Sequence, residues 1–99
     1  MPTYGPGTAP ITVHVPSPLR VYVAGARELT LSAPNVRAAL EQIEQSHPPL
    51  YRSVCDETGR VRRHINLFVN TSHIGDREGL DTPLVAGDVL TILPAVSGG

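Results

Sequence analysis

The stretch "ELTLSAPNVRAALEQIEQSHPP", Glu28 to Pro49, changes its apolar period part-way along. Leu29 and Leu31 alternate with polar neighbours, so Glu28 to Ser32 reads as a strand with one face turned inward. From Val36 the spacing becomes helical: Val36, Ala39, Leu40 and Ile43 recur at i, i+3, i+4 and i+7 and share one face. Asn35 stands where an N-cap belongs, with a side-chain oxygen to take an unpaired amide of the first turn. Pro48-Pro49 cannot continue a helix, which makes His47 its limit.

Upstream, Ile11, Val13 and Val15 alternate with Thr12 and His14 until Pro16 and Pro18 interrupt, giving a first strand antiparallel to Glu28–Ser32 if a hairpin links them. "LRVYV", Leu19 to Val23, suits either a strand or an irregular connection. Residues 1–10 are rich in Gly and Pro without apolar period and read as a flexible tail. Downstream, Tyr51 to His64 is expected to be a long connection with a turn at Gly59. "INLFVN" then turns Ile65, Leu67 and Val69 one way and leaves an aromatic, Phe68, exposed on the other. "TSHI" reads as a short edge strand, "GLDTPLVAGD" as turns, and "VLTILP" as a last strand with Leu90 and Ile92 inward.

Strand, strand, helix, strand, short strand, strand predicts an α+β domain over residues 11–95. One main helix lies across a mixed sheet of four to five strands in the β-grasp, ubiquitin-like arrangement. In that arrangement the last strand pairs with the first at the centre of the sheet. Residues 96–99 are then expected to leave the body as a flexible tail ending in Gly98-Gly99.

Composition limits what such a domain does. The 99 residues suffice for one core, and 40% hydrophobic with 17% charged residues excludes a largely disordered chain. A net charge of -1 supplies no global field for nucleic acid or an anionic membrane. A lone cysteine, Cys55, forms no internal disulfide and no four-cysteine metal or cluster site, which also excludes a plant-type ferredoxin. The four histidines show no metal spacing. With no secretion signal or membrane-length apolar run, a cytoplasmic protein is expected.

The end of the chain carries the chemistry. A carboxylate becomes an acyl donor once its oxygen is made a good leaving group, as adenylation by ATP in a partner enzyme does. Without Cβ atoms, Gly98 and Gly99 allow close backbone approach through a narrow channel. "ITVHVPSPLR", "INLFVN" and "GLDTPLVAGDVLTILPAVSGG" lie in register with the strands of a known group. On them, and above all on Gly98-Gly99 after Pro94, Ala95 and Val96, the chain resembles the ubiquitin-like sulfur carriers of the MoaD/ThiS type. These include the small subunit of molybdopterin synthase and the carriers of cysteine biosynthesis.

The resemblance implies a carrier, not an enzyme and without a bound cofactor. An E1-like adenylyltransferase spends ATP on the Gly99 carboxylate, a sulfur donor enzyme converts it to a thiocarboxylate, and a sulfur-accepting synthase in cofactor or amino-acid biosynthesis takes the sulfur. A protein modifier joined to lysines and a non-carrier interaction module are the alternatives. Ser97 replaces the usual Ala or Thr, and "NTSHIGD" lacks the family's acidic character after the third strand.

Phe68 and Leu93 both fall on the sheet face that the helix leaves uncovered and are expected to dock partners. The family supports this, with Pro94 and Val96 as the lead-in to the glycines. Arg60, Arg62, Arg63 and His64 read as a solvated loop, and Cys55 as an inert thiol in a flexible one.

Overall fold

The computed structural model describes residues 10–95. Five strands and two helices follow one another: β1 (Pro10–His14), β2 (Glu28–Ser32), α1 (Val36–Ser46), α2 (Pro48–Val54), β3 (Ile65–Val69), β4 (Ser72–His73) and β5 (Val89–Pro94). The sheet order is β2-β1-β5-β3-β4. β1 runs antiparallel to β2 and parallel to β5, and β5 runs antiparallel to β3. This is the β-grasp, with the last strand beside the first at the centre of a mixed sheet.

Alternation decides what each strand buries. Ile11 and Val13 of β1, Leu67 and Val69 of β3, and Leu90 and Ile92 of β5 are buried on one face. The α1 stripe of Val36, Ala39, Leu40 and Ile43 is buried with them. Asn35 caps α1 as its sequence predicts, the side-chain oxygen accepting from Ala38 N–H at 2.8 Å.

Of two connections, one resolves an alternative that the sequence leaves open and the other departs from expectation. "LRVYV" becomes part of a 3-10 helix, Ser17–Val23, that buries only Val23 and ends at Ala24 in the left-handed region, φ 55°. The long connection from Tyr51 is shorter than the sequence suggests, because α2 begins at the very prolines that stop α1. A proline in the first turn lacks only an amide that has no helical partner there, so Pro48-Pro49 ends one helix and opens the next. Leu50 and Val54, one turn apart, pack inward from it.

Cys55 is therefore not in a flexible loop. It follows α2 and is buried, its backbone N–H bonded to Tyr51 C=O at 2.7 Å. Beyond it Asp56 closes a turn by accepting from Thr58 N–H, Thr58 Oγ1 and Arg60 N–H at 2.8, 2.6 and 3.1 Å. Gly59 supplies the positive φ of 85° that the turn needs.

Candidate functional site

β5 alternates sharply at its end: Ile92 is buried, whereas Leu93 keeps 48% of its surface exposed. The register sets Leu93 against Asn66 and Thr91 against Phe68. Asn66, Phe68, Thr91 and Leu93 thus share the sheet face that α1 does not cover. That is the face expected for Phe68 and Leu93, and the structure brings the two together there as diagonal neighbours on adjacent strands.

Phe68 is half-buried rather than open, a correction to the sequence reading. Its ring meets His73 edge-on, with centroids 5.2 Å apart and planes at 83°. His73 is itself held at both nitrogens. Gly75 N–H donates to Nδ1 at 2.8 Å, so Nε2 carries the hydrogen and donates to Asn66 Oδ1 at 3.0 Å. This clamp stiffens the support beneath Phe68. The sequence says of His73 only that it has no metal spacing, and nothing in that spacing announces the bond to Asn66.

Pro94 closes β5 opposite Ile65, and Ala95 N–H bonds to His64 C=O at 2.6 Å. Even-numbered residues of β5 face β1, whose pairing ends at Thr91, so the amide that Pro94 lacks would find no strand partner. The chain is thereby held to the sheet up to Ala95. Val96, Gly98 and Gly99 lie outside the described residues.

Among the described residues no cluster of three or more His, Cys, Asp or Glu could hold a metal ion, and no helix is long and apolar enough to cross a membrane. His14 instead pairs across strands with Glu28 at 2.9 Å. The Cys55 thiol is pushed up to about 11 by burial first and by the Asp56 carboxylate second, while Tyr51 and Arg62 pull weakly the other way. A thiol reagent at pH 8 should leave Cys55 unmodified in the folded chain and label it fully in denaturant; labelling at equal rates would show that the site is open. Because the folded value lies above the unfolded one, this thiol's contribution to stability is complete below about pH 9. It declines as pH rises toward 11.

Residues 15–99 match the ThiS family. The sulfur carrier protein CysO of Mycobacterium tuberculosis is 31% identical over 91 residues, covering 90% of this chain and 98% of that protein. Its crystal structure superposes with a TM-score of 0.80 at 30% identity, over 87% of this chain and 99% of that one. A chain in the crystal structure of the Amycolatopsis orientalis BexX/CysO complex gives 0.82 at 31% identity, covering 90% and 99%. The small archaeal modifier protein 1 of Methanosarcina acetivorans gives 0.79 at 34% identity, covering 93% and 98%. With its sheet order, its central last strand and a family match that spans nearly the whole sequence, the chain belongs to the ThiS family of sulfur-carrier-type β-grasp proteins.

Proposed function

We propose that this chain carries sulfur on the carboxylate of Gly99 as a co-substrate of other enzymes. An E1-like adenylyltransferase joins that carboxylate to AMP with loss of pyrophosphate from ATP. Hydrosulfide released by a donor enzyme then displaces AMP, leaving a thiocarboxylate. A synthase of cofactor or amino-acid biosynthesis accepts the sulfur, and water cleaves the acyl–sulfur bond to restore the carboxylate. The observation that carries this reading is the ThiS match over residues 15–99, which includes Gly98 and Gly99.

Geometry supports it. The chain is bonded to the sheet as far as Ala95, and the four residues after it span at most about 14 Å when fully extended. A carboxylate on so short a lead reaches a partner's nucleotide only if that partner also sits against the body of the domain. Phe68, Leu93 and Pro94 lie beside the point of departure, and Val96 is within the lead itself. The domain over residues 11–95 is then the handle and residues 96–99 the working arm.

A second reading, a modifier joined to lysines, is favoured by the likeness to small archaeal modifier protein 1 of Haloferax volcanii, 34% identical over 80 residues. Both begin with the same acyl adenylate and part at the nucleophile, sulfur or an amine. Purification from the native cells with mass analysis of the last peptide separates them. A thiocarboxylate is expected; Gly99 found mainly in isopeptide links, with no sulfur form, would assign the modifier role.

A further inference from the structure

The alternation of β3 leaves part of its outer edge open. The bonds Ala95 N–H to His64 C=O and Asn70 N–H to Val89 C=O direct the even-numbered backbone groups of β3 toward β5. Leu67 N–H and Ile65 C=O therefore aim at the opposite edge, where the Phe68–His73 pairing already engages Leu67 C=O with Ile74 N–H. There β4 pairs only through Phe68–His73 and Val69–Ser72, and Ile65 N–H is already taken by Arg62 C=O at 2.9 Å. The stretch of edge from Ile65 C=O to Leu67 N–H, opposite Asn66, has no strand partner among the described residues.

That edge lies in a surface groove whose apolar lining includes Ile65, Leu67, Ile74 and Leu80. Arg60, Arg62 and Arg63 line the same groove, and no acidic residue does. Arg62 is tied to Arg52 C=O through Nε at 2.7 Å, while Arg60 and Arg63 are exposed. The ion pairs among the described residues are His14–Glu28 and Arg37–Asp81, so none of the three guanidiniums has a carboxylate within 4.0 Å there. The run that reads as a solvated loop in the sequence is one wall of a cationic, partly apolar trough along an unpaired β-edge.

We propose that this groove binds an extended acidic peptide segment of a partner protein, added as a short strand opposite Asn66, between Ile65 and Leu67. Its backbone bonds to Leu67 N–H and Ile65 C=O, its carboxylates lie against Arg60 and Arg63, and an intervening apolar side chain covers Ile74 and Leu80. The segment is short, because His73 blocks the edge at one end. A nucleic acid fits less well: it has no backbone amide to match Ile65 C=O, and no Phe, Tyr or Trp lines the groove for bases to stack upon. The inference rests on the fold alone and does not require the chemistry at Gly99.

The full chain, labelled with 15N, is titrated at low salt with an acetylated, amidated hexapeptide alternating Glu and Val, and separately with its Lys–Val counterpart. Amide shifts centred on Leu67, Ile74 and residues 60–63 are expected for the acidic peptide alone. Its affinity should fall about tenfold or more in the exposed double variant Arg60→Gln with Arg63→Gln. Absence of binding at millimolar peptide, equal binding of the Lys–Val peptide, unchanged affinity in the double variant, or shifts confined to the Phe68–Leu93 face would each overturn the proposal. Tighter binding of an oligouridylate at the same amides would do so too, assigning the groove to nucleic acid. Should the double variant lose its fold, the comparison of the two peptides on the unaltered chain decides.

Discussion

Deletion of Gly99 should abolish thiocarboxylate formation and leave the fold as it is. Removing one residue draws the terminal carboxylate back by about 3.3 Å, and a misplacement of about 1 Å in an active site already costs on the order of a hundredfold in rate. The core runs from Ile11 to Ile92, so stability should change by less than about 0.5 kcal/mol. Gly99→Ala preserves the reach while adding a Cβ in the channel, and should load more slowly than the unaltered chain but faster than the deletion. Intact-mass measurement after incubation with an E1-like enzyme, ATP and a sulfur donor reads the exchange of oxygen for sulfur. Equal loading by the deletion variant would remove Gly99 from the chemistry.

The regular parts of this fold are legible in the sequence because burial writes a period into them. β3 could be read from Ile65, Leu67 and Val69, and α1 from Val36, Ala39, Leu40 and Ile43, together with the Asn35 cap. Pro48-Pro49 misleads because proline acts at both ends of a helix: it forbids continuation of α1 and is well suited to the first turn of α2. Only two buried residues at i and i+4, Leu50 and Val54, mark so short a helix, too few to reveal a period. The half-burial of Phe68 is invisible for a different reason. It depends on His73, brought across a hairpin and fixed by Asn66 and by a backbone amide at Gly75, contacts that no local spacing encodes. Arg60, Arg62 and Arg63 show the same limit, since a charge run discloses its sign but not the edge it lies along.

Adjacent residues of β5 should give opposite phenotypes when shortened. Ile92 is buried opposite Leu67, so Ile92→Ala leaves a cavity and should cost about 2–5 kcal/mol of stability. Leu93, one residue on, points to the uncovered face, and Leu93→Ala should change stability by less than about 1 kcal/mol. For binding to the activating enzyme the order reverses. A buried interface anchor is worth about 2 kcal/mol or more, which for Leu93→Ala corresponds to at least about thirtyfold weaker affinity. Adding Phe68→Ala should weaken binding further, and because it removes both the edge-on contact with His73 and part-buried ring surface, this second change carries a stability cost of at least about 1 kcal/mol that Leu93→Ala does not. Thermal melts and titration calorimetry on the three variants separate the two quantities. Unaltered affinity in the Phe68 and Leu93 double variant would show that partners do not use this face. A collapse of its melting temperature to that of Ile92→Ala would show that the face is part of the core.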